Sequence, residues 1–291
     1  MHTILITGAN GFLGQHLSGF LFNAGYMVVA TGRGESRLAD KRILYAQLDL
    51  TDKEQVRCVL TKYQPDVVIH NAAMSKPDEC YENQSQCVVQ NVGSTQEILQ
   101  YPCKQFIYLS TDFIFGEGGP HSEEDEAAPL NFYGETKLAA EKLVKESGAH
   151  FGIVRPVFIY GRMLAGLKPT FLHWVANSLQ QGKAIKVTAD QFRTPTYVED
   201  ICKGIFSMIE LNAGGVYHLA GKEILSPYEM ALQTATLLNL DESLIESVTA
   251  DTFLEKVVRA KRSGLRIDKA INELAYNPVS FEEGVRLTFG L

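Results

Sequence analysis

The sequence predicts an α/β fold: a doubly wound parallel sheet with a smaller, mostly C-terminal part folded over one end of it. Three observations predict it. A glycine-rich turn, Thr7-Gly8-Ala9-Asn10-Gly11-Phe12-Leu13-Gly14, joins a short apolar strand to an amphipathic helix. Further short apolar runs then alternate with helical patterns as far as Arg155, which is the signature of parallel strands joined by crossover helices. From Arg162 onward that alternation lapses. The chain has 291 residues and is 45% hydrophobic, enough to bury a sizeable core.

Thr3 to Ile6 is β-branched and apolar and reads as the first, buried strand. Phe12, Leu13, Leu17, Phe20, Leu21 and Ala24 mark one face of the helix that follows. The glycines at 8, 11 and 14 are spaced G-x-x-G-x-x-G. Gly8 permits the tight turn, Gly11 lets backbone N–H groups approach a pyrophosphate, and Gly14 lets helix and strand pack closely. The turn therefore marks a dinucleotide site that includes Asn10, Phe12 and Leu13. Tyr26 to Thr31 is a second strand ending in Gly32-Arg33-Gly34. At this strand end an acid selects a free ribose 2′-hydroxyl and an arginine a 2′-phosphate. Arg33, with Ser36 and Arg37 nearby and no acid before Glu35, favours NADP(H) over NAD(H).

Arg42 to Leu48 is a third strand, followed by Asp49-Leu50 and a helix from Asp52 to Tyr63 that Thr51 or Asp52 caps. Val67 to His70 is a fourth, with Asn71-Ala72-Ala73 at its end, small enough for a cofactor to lie flat across it. A polar helical stretch, about 78–100, contains Asn91. Gln105 to Leu109 is a fifth strand and runs into Ser110-Thr111-Asp112-Phe113. A helix opens at Asn131 and runs to about Ser147. On it Tyr133 and Lys137 are four apart and share a face. A nearby cation lowers a phenol's pKa, and a hydroxyl from Ser110 or Thr111 holds a carbonyl against the tyrosine. That set passes a proton to or from an alcohol oxygen while a nicotinamide exchanges hydride with its carbon.

Together the glycine turn, Asn71-Ala72-Ala73, Asn91, Ser110-Thr111, Tyr133-x-x-x-Lys137 and Arg155-Pro156 resemble the extended short-chain dehydrogenase/reductases. Ser110 to Phe115, Pro129 to Lys137 and Asp190-Gln191-Phe192-Arg193-Thr194-Pro195-Thr196 resemble its dTDP-4-dehydrorhamnose reductase branch. The resemblance covers roughly the first 210 residues. It implies a Rossmann domain, with Tyr133 as proton donor or acceptor, Lys137 on the nicotinamide ribose, Thr111 orienting the substrate oxygen and Asp112 assisting. It sets Asp49 and Leu50 against adenine, and Asn71, Ala72 and Ala73 with Asn91, Ser110 and Pro156 at the rest of the cofactor. Ser75, Thr111 and Arg193 fall to the substrate. Arg193 departs from the branch, which carries a small residue there; an arginine reaches a substrate phosphate or signals a different substrate. The branch's acidic metal contacts have no counterpart late in this chain, and no metal site is assigned.

Phe151 to Arg155 is a sixth strand. Phe171 to Gln181 is a helix in which Trp174 is expected in the core rather than stacked on a base. Thr196 to Asn212 is a helix with Val198, Ile201, Ile205, Met208 and Ile209 on its apolar face, and Val216 to Leu219 a seventh strand. Helices are expected from Ser226-Pro227 and over Asp241 to Ser247 and Asp251 to Arg259. The basic segment Lys261 to Arg266 is either a diphosphate site or a solvated loop, and the acidic run Glu123 to Glu126 is a solvated loop. The expected division is a Rossmann domain over 1–161 and 191–221 and a substrate-binding part over 162–190 and 222–291.

A net charge of −7 argues against a nucleic-acid partner. No apolar run reaches the roughly 18 residues of a membrane span, and no cleavable leader opens the chain. Five cysteines without C-x-x-C spacing (Cys58, Cys80, Cys87, Cys103 and Cys202) fit reduced thiols in a cytoplasmic protein. The expected activity is NAD(P)H-dependent reduction of a nucleotide-linked 4-keto-6-deoxy sugar, and the resemblance implies a homodimer. The alternatives are a nucleotide-sugar epimerase or dehydratase, and a cofactor-binding regulatory subunit like that of methionine adenosyltransferase. Phe113, where a dehydratase carries glutamate, disfavours dehydration.

Overall fold

The computed structural model describes residues 2–164, 166–254 and 256–291. Strand alternation builds its centre. In β1 (Thr3–Thr7) Ile4 and Ile6 enter one core and Leu5 the other, because successive side chains point to opposite faces. β1 pairs in parallel with β2 (Met27–Gly32) on one side and β4 (Val67–His70) on the other. Beyond β2 lies β3 (Leu44–Gln47); beyond β4 lie β5 (Gln105–Leu109), β6 (Phe151–Arg155) and β10 (Gly215–His218). The sheet has seven parallel strands in the order β10-β6-β5-β4-β1-β2-β3. The order reverses between β1 and β4, and at such a switch point the strand ends leave a crevice for a ligand.

Helices cover both faces. α1 (Phe12–Asn23) and α8 (Val198–Glu210) send Leu13, Leu17, Leu21, Ile201, Ile205 and Met208 onto the Ile4–Ile6 face. α2 (Lys53–Tyr63), α5 (Ser94–Ile98) and α6 (Phe132–Glu146) send Val56, Leu60, Ile98, Ala140 and Val144 onto the Leu5 face. Burying each such side chain contributes about 1.5–3 kcal/mol. Asp52 is the residue that caps α2, accepting from the N–H groups of Glu54 and Gln55. The third sheet strand starts at Leu44 rather than Arg42.

A separate core joins Val175, Leu179, Ile185, Val187, Ala231, Ala235 and Ile245. These come from α7 (Phe171–Gln180), α9 (Pro227–Leu237) and two short parallel strands, β8 (Ile185–Thr188) and β11 (Ile245–Val248). α9 opens on a capping box of Ser226 and Glu229 with Pro227 in its first turn. α11 (Phe281–Phe289) packs on α9, and α10 (Asp268–Leu274) returns to the main core. β7 (Ile159–Tyr160) pairs with β9 (Thr196–Tyr197).

Several expectations are corrected. Asp241 to Ser247 is not a helix: Asp241 caps one turn, Glu242–Leu244, and the chain then extends into β11, because Ile245 packs beside Ile185. Asp251 to Arg259 is likewise one turn, Ala250–Thr252, with no helix among the described residues from Phe253 to Arg259. The 78–100 stretch is broken into α3 (Pro77–Glu82), α4 (Gln84–Val88), a π-helical turn at Val89–Gly93 and α5. Thr196 and Tyr197 are extended and the helix starts at Val198. Trp174 is 42% exposed: Leu172, Val175, Ala176 and Leu179 take the buried face of α7 and leave the tryptophan outside against Phe171. In the acidic run, Glu123 is tucked in and accepts from the N–H of His218, while the next three residues are exposed. Among the described residues no helix is long and apolar enough to cross a membrane.

Candidate active site

The strand ends of β1, β2, β4 and β5 open into a cleft of about 930 Å³. At its floor the glycine turn presses against the end of β4. Gly8 has φ +67, and a Cβ there would lie 2.8 Å from the Ala72 Cα; at Gly14 it would lie 2.3 Å from the Gly8 carbonyl oxygen. The turn closes on a Gly11 N–H to Gly8 carbonyl bond of 3.0 Å. No side chain caps α1, so its first N–H groups face the cleft beside Gly11, Phe12 and Leu13. A side-chain-free cradle at a helix N-terminus fits a dinucleotide pyrophosphate.

A buried chain of hydrogen bonds fixes the cradle. The Thr7 hydroxyl accepts from the N–H groups of Asn71 and Ala72, at 3.1 and 3.0 Å, and bonds His70 Nδ1 at 2.9 Å. His70 Nε2 bonds the Thr95 hydroxyl, whose hydrogen goes to the Asn91 carbonyl, so Nε2 is the protonated nitrogen. Burial pushes the His70 pKa down to about 3, so the ring stays neutral. Asn91 itself lies behind the wall. Its side chain bonds both backbone groups of Met74, at 2.7 and 3.1 Å, and the Thr136 hydroxyl at 3.0 Å. It shapes the segment carrying Ala73 and Ser75, which are on the wall, instead of lining the cleft.

At the adenosine end, Asn10 pins the loop after β2. It donates to the carbonyls of Arg33 and Glu35 and to the Tyr45 hydroxyl, and accepts from the Arg37 N–H. The loop so held puts Arg33 and Arg37 on the wall, opposite Asp49 and Leu50. The Thr51 N–H and hydroxyl hold the Asp49 carboxyl below its ordinary value, and Arg33 adds to the effect.

At the other end stand Ser110, Tyr133, Lys137 and Pro156. Asn131 caps α6 by accepting from the Gly134 N–H at 3.1 Å, which aims the first turn at the cleft. Tyr133 is 7% exposed. Burial pushes its phenol well above the usual range, against the pull of the Thr111 hydroxyl. The expected lowering by Lys137 is not what this geometry produces. Lys137 donates to the Leu109 carbonyl at 2.6 Å and lies 4.1 Å over the Tyr108 ring, and burial lowers its own pKa to about 7.

Thr111, Asp112 and Arg193 lie behind this end. Thr111 donates to Asp112 Oδ1 at 3.1 Å, and Arg193 Nη1 stands 3.9 Å from Asp112 Oδ2. Arg193 is 6% exposed and turned inward, not toward a phosphate in the cleft. Sequence reasoning missed one part of the wall: Lys168, Thr170 and Phe171. Only the lysine's charge offered a signal. The segment Lys261 to Arg266 is not a solvated loop, since Ser263, Gly264 and Leu265 are buried, and it does not line the cleft. It is stitched to its neighbours by Phe192 N–H to Lys261 and His121 N–H to Gly264 carbonyl bonds. Lys261 is paired with Asp190 and Arg266 with Asp268.

The chain is similar to a dTDP-4-keto-6-deoxy-D-glucose reductase of Streptomyces niveus, 28% identical over 94% of this chain and 92% of that one. It is also similar to the methionine adenosyltransferase 2 subunit beta of Pongo abelii, 32% identical over 86% and 76% of the two chains. The crystal structure of dTDP-4-dehydrorhamnose reductase from Bacillus anthracis in complex with NADP superposes with a TM-score of 0.86, at 27% identity over 99% and 98% of the two chains. The family model described as the RmlD substrate binding domain matches residues 1–290. With a parallel sheet, a glycine cradle and a Tyr-Lys helix in their places, the protein belongs to that family.

Proposed function

We propose that the chain reduces the ketone of a nucleotide-linked 4-keto-6-deoxy sugar with NADPH. The observation that carries the reading is one continuous cleft, with the glycine cradle and Arg33 at one end and Ser110, Tyr133 and Lys137 at the other. The arginines on the wall favour a cofactor with a 2′-phosphate, and the similar Bacillus anthracis enzyme holds NADP. Bound there, a reduced nicotinamide supplies hydride to the sugar carbon. The chain supplies the proton. Burial keeps the Tyr133 phenol protonated, so it donates to the ketone oxygen as that oxygen gains charge. Lys137 is the group for the ribose hydroxyls, and the near-complete burial of both side chains keeps water from the reacting oxygen. A homodimer working in the cytoplasm belongs to the same proposal, and light scattering measures the first.

The test is loss of reduced-nicotinamide absorbance with dTDP-4-dehydrorhamnose, run with NADPH and NADH in parallel. Tyr133→Phe is expected to lower kcat by about 10²- to 10⁴-fold, the usual worth of a general acid, with NADPH binding intact. Unchanged turnover in that variant overturns the reading. The 32% identity to a methionine adenosyltransferase subunit favours one second reading, a cofactor-binding partner subunit. A stoichiometric complex with such an enzyme, with no turnover of any keto sugar nucleotide, would support it instead.

A further inference from the structure

Behind the catalytic end, three segments distant in sequence meet around one buried carboxylate. Asp112 is 3% exposed. Its Oδ1 accepts from the Thr111 hydroxyl at 3.1 Å and its Oδ2 from the Ser263 hydroxyl at 3.0 Å. Arg193 Nη1 lies 3.9 Å from Oδ2 and donates to Ser263 Oγ at 3.4 Å; Nη2 donates to Gln191 Oε1 at 3.1 Å. Backbone pairing delivers these side chains. Arg193 exchanges both backbone bonds with Leu225, and the Ser263 N–H donates to the Phe192 carbonyl at 3.1 Å.

We infer that Arg193 and Ser263 are positioning residues, which hold Asp112 as an anion so that it accepts the Thr111 hydroxyl hydrogen and fixes the Thr111 side chain beside Tyr133. This role rests on the reductase reading above. The comparison within the molecule is Glu141 with Arg155, a buried pair clamped by two bonds of 2.9 and 2.7 Å. There the guanidinium itself bonds both carboxylate oxygens, with His218 3.2 Å from Arg155 Nη1 and Lys145 3.7 Å from Glu141 Oε2 alongside. Asp112 instead gives its two oxygens to hydroxyls, one of them beside the phenol, and Arg193 acts on it mainly through charge. Burial pushes the Asp112 carboxyl above its ordinary value, and Arg193, Ser263 and Thr111 pull it only part of the way back. Tyr133 of α6 is the next titratable group beyond Thr111, with Cys80 of α3 and Cys87 of α4 facing the phenol from the other side. If Asp112 gains a proton it becomes a donor to Thr111. The bond that fixes Thr111 then reverses, and its hydroxyl is no longer held in one orientation where the substrate oxygen meets Tyr133.

The experiment compares Arg193→Met, Arg193→Lys, Asp112→Asn and the Arg193→Met/Asp112→Asn double variant in the full chain. Without the guanidinium, the buried Asp112 carboxyl loses its counter-charge and its pKa moves further up. Arg193→Met is expected to gain a new acid limb in its kcat profile, falling about tenfold per pH unit as one proton is taken up. Lysine should remove that limb. Asp112→Asn, which mimics the protonated acid, should be slow at every pH, and the double variant no slower than Asp112→Asn. A loss in Arg193→Met that is equal at all pH values, or additive losses in the double variant, overturns the inference. A second readout stands apart from turnover. In Arg193→Met the folded-state pKa of Asp112 lies further above its unfolded value than in wild type, so the variant's unfolding midpoint should drop further below wild type as pH rises above about 4, where the unfolded carboxyl ionises. The double variant should show no such slope, and a pH-independent deficit overturns the inference. If wild type turns over no keto sugar nucleotide but this slope is present, the reductase reading fails and the ionised network stands.

Discussion

Lys137 is the residue whose charge the fold sets most sharply. Burial takes its pKa to about 7, against an unfolded value near ~10.4. A folded-state value below the unfolded one costs stability in full below about pH 7, where the amine is charged in both states, and the cost fades as pH rises toward ~10. Lys137→Met is therefore expected to abolish turnover and yet to gain stability over wild type at about pH 6. That gain should shrink steadily up to about pH 9 in urea unfolding run without cofactor. A gain that does not vary with pH would mean the lysine is already neutral or well solvated. The pairing of Tyr133 with Lys137 was legible because two residues four apart on a helix share a face. The sign of the effect on the phenol was not, since it depends on how far the tyrosine is buried and on which acceptor the lysine finds. Arg193 was legible as an anomaly only. Its partner Ser263 reaches it through backbone pairing between distant segments, which no local pattern encodes.

At the scale of elements, the first turn shows why glycine spacing was readable. Gly8 needs both a left-handed backbone and the absence of a side chain against Ala72. Gly25 has φ +94 but nothing within 4 Å of where a Cβ would be. Gly25→Ala is thus expected to cost about 1–2 kcal/mol in urea unfolding, the left-handed penalty alone, and to leave the KM for NADPH unchanged. Gly8→Ala should cost more and raise that KM at least tenfold, because the turn must move off the end of β4. Equal behaviour of the two variants would mean that the cradle does not hold the phosphates. Long or strongly apolar elements were legible for a similar reason: their burial pattern is local. β8 and β11 were not. Each has four residues, and Ile245 and Ile185 commit to strand only because they lie beside each other. The cap signal at Asp241 was sound, but it closes a single turn and not a helix.

At the scale of the molecule, the chain carries a formal charge of −7 and yet is built to receive a cofactor that is itself strongly anionic. The local field must oppose the global one. Arg33, Arg37, Lys76 and Lys168 supply it, gathered around the cleft from three places in the chain. Lys76 is partly neutralised by Glu79, and Arg33 by Asp49, which leaves Arg37 and Lys168 to carry much of the attraction. These groups are exposed, so their pull is screened over a Debye length of about 10 Å at 0.1 M salt and about 3 Å at 1 M. NADPH differs from NADH by one phosphate at this end of the cleft. Raising salt from about 0.05 to 0.5 M should therefore raise the KM for NADPH several-fold and that for NADH much less, so that the preference narrows. Arg33→Ala/Arg37→Ala should lower NADPH affinity by about 10- to 100-fold at low salt, the worth of one or two charge-assisted bonds, and flatten its salt dependence. If both cofactors respond to salt alike and the double variant keeps its preference, the 2′-phosphate is not read by Arg33 and Arg37, and selectivity lies with the other cations of the cleft, Lys168 or Lys76.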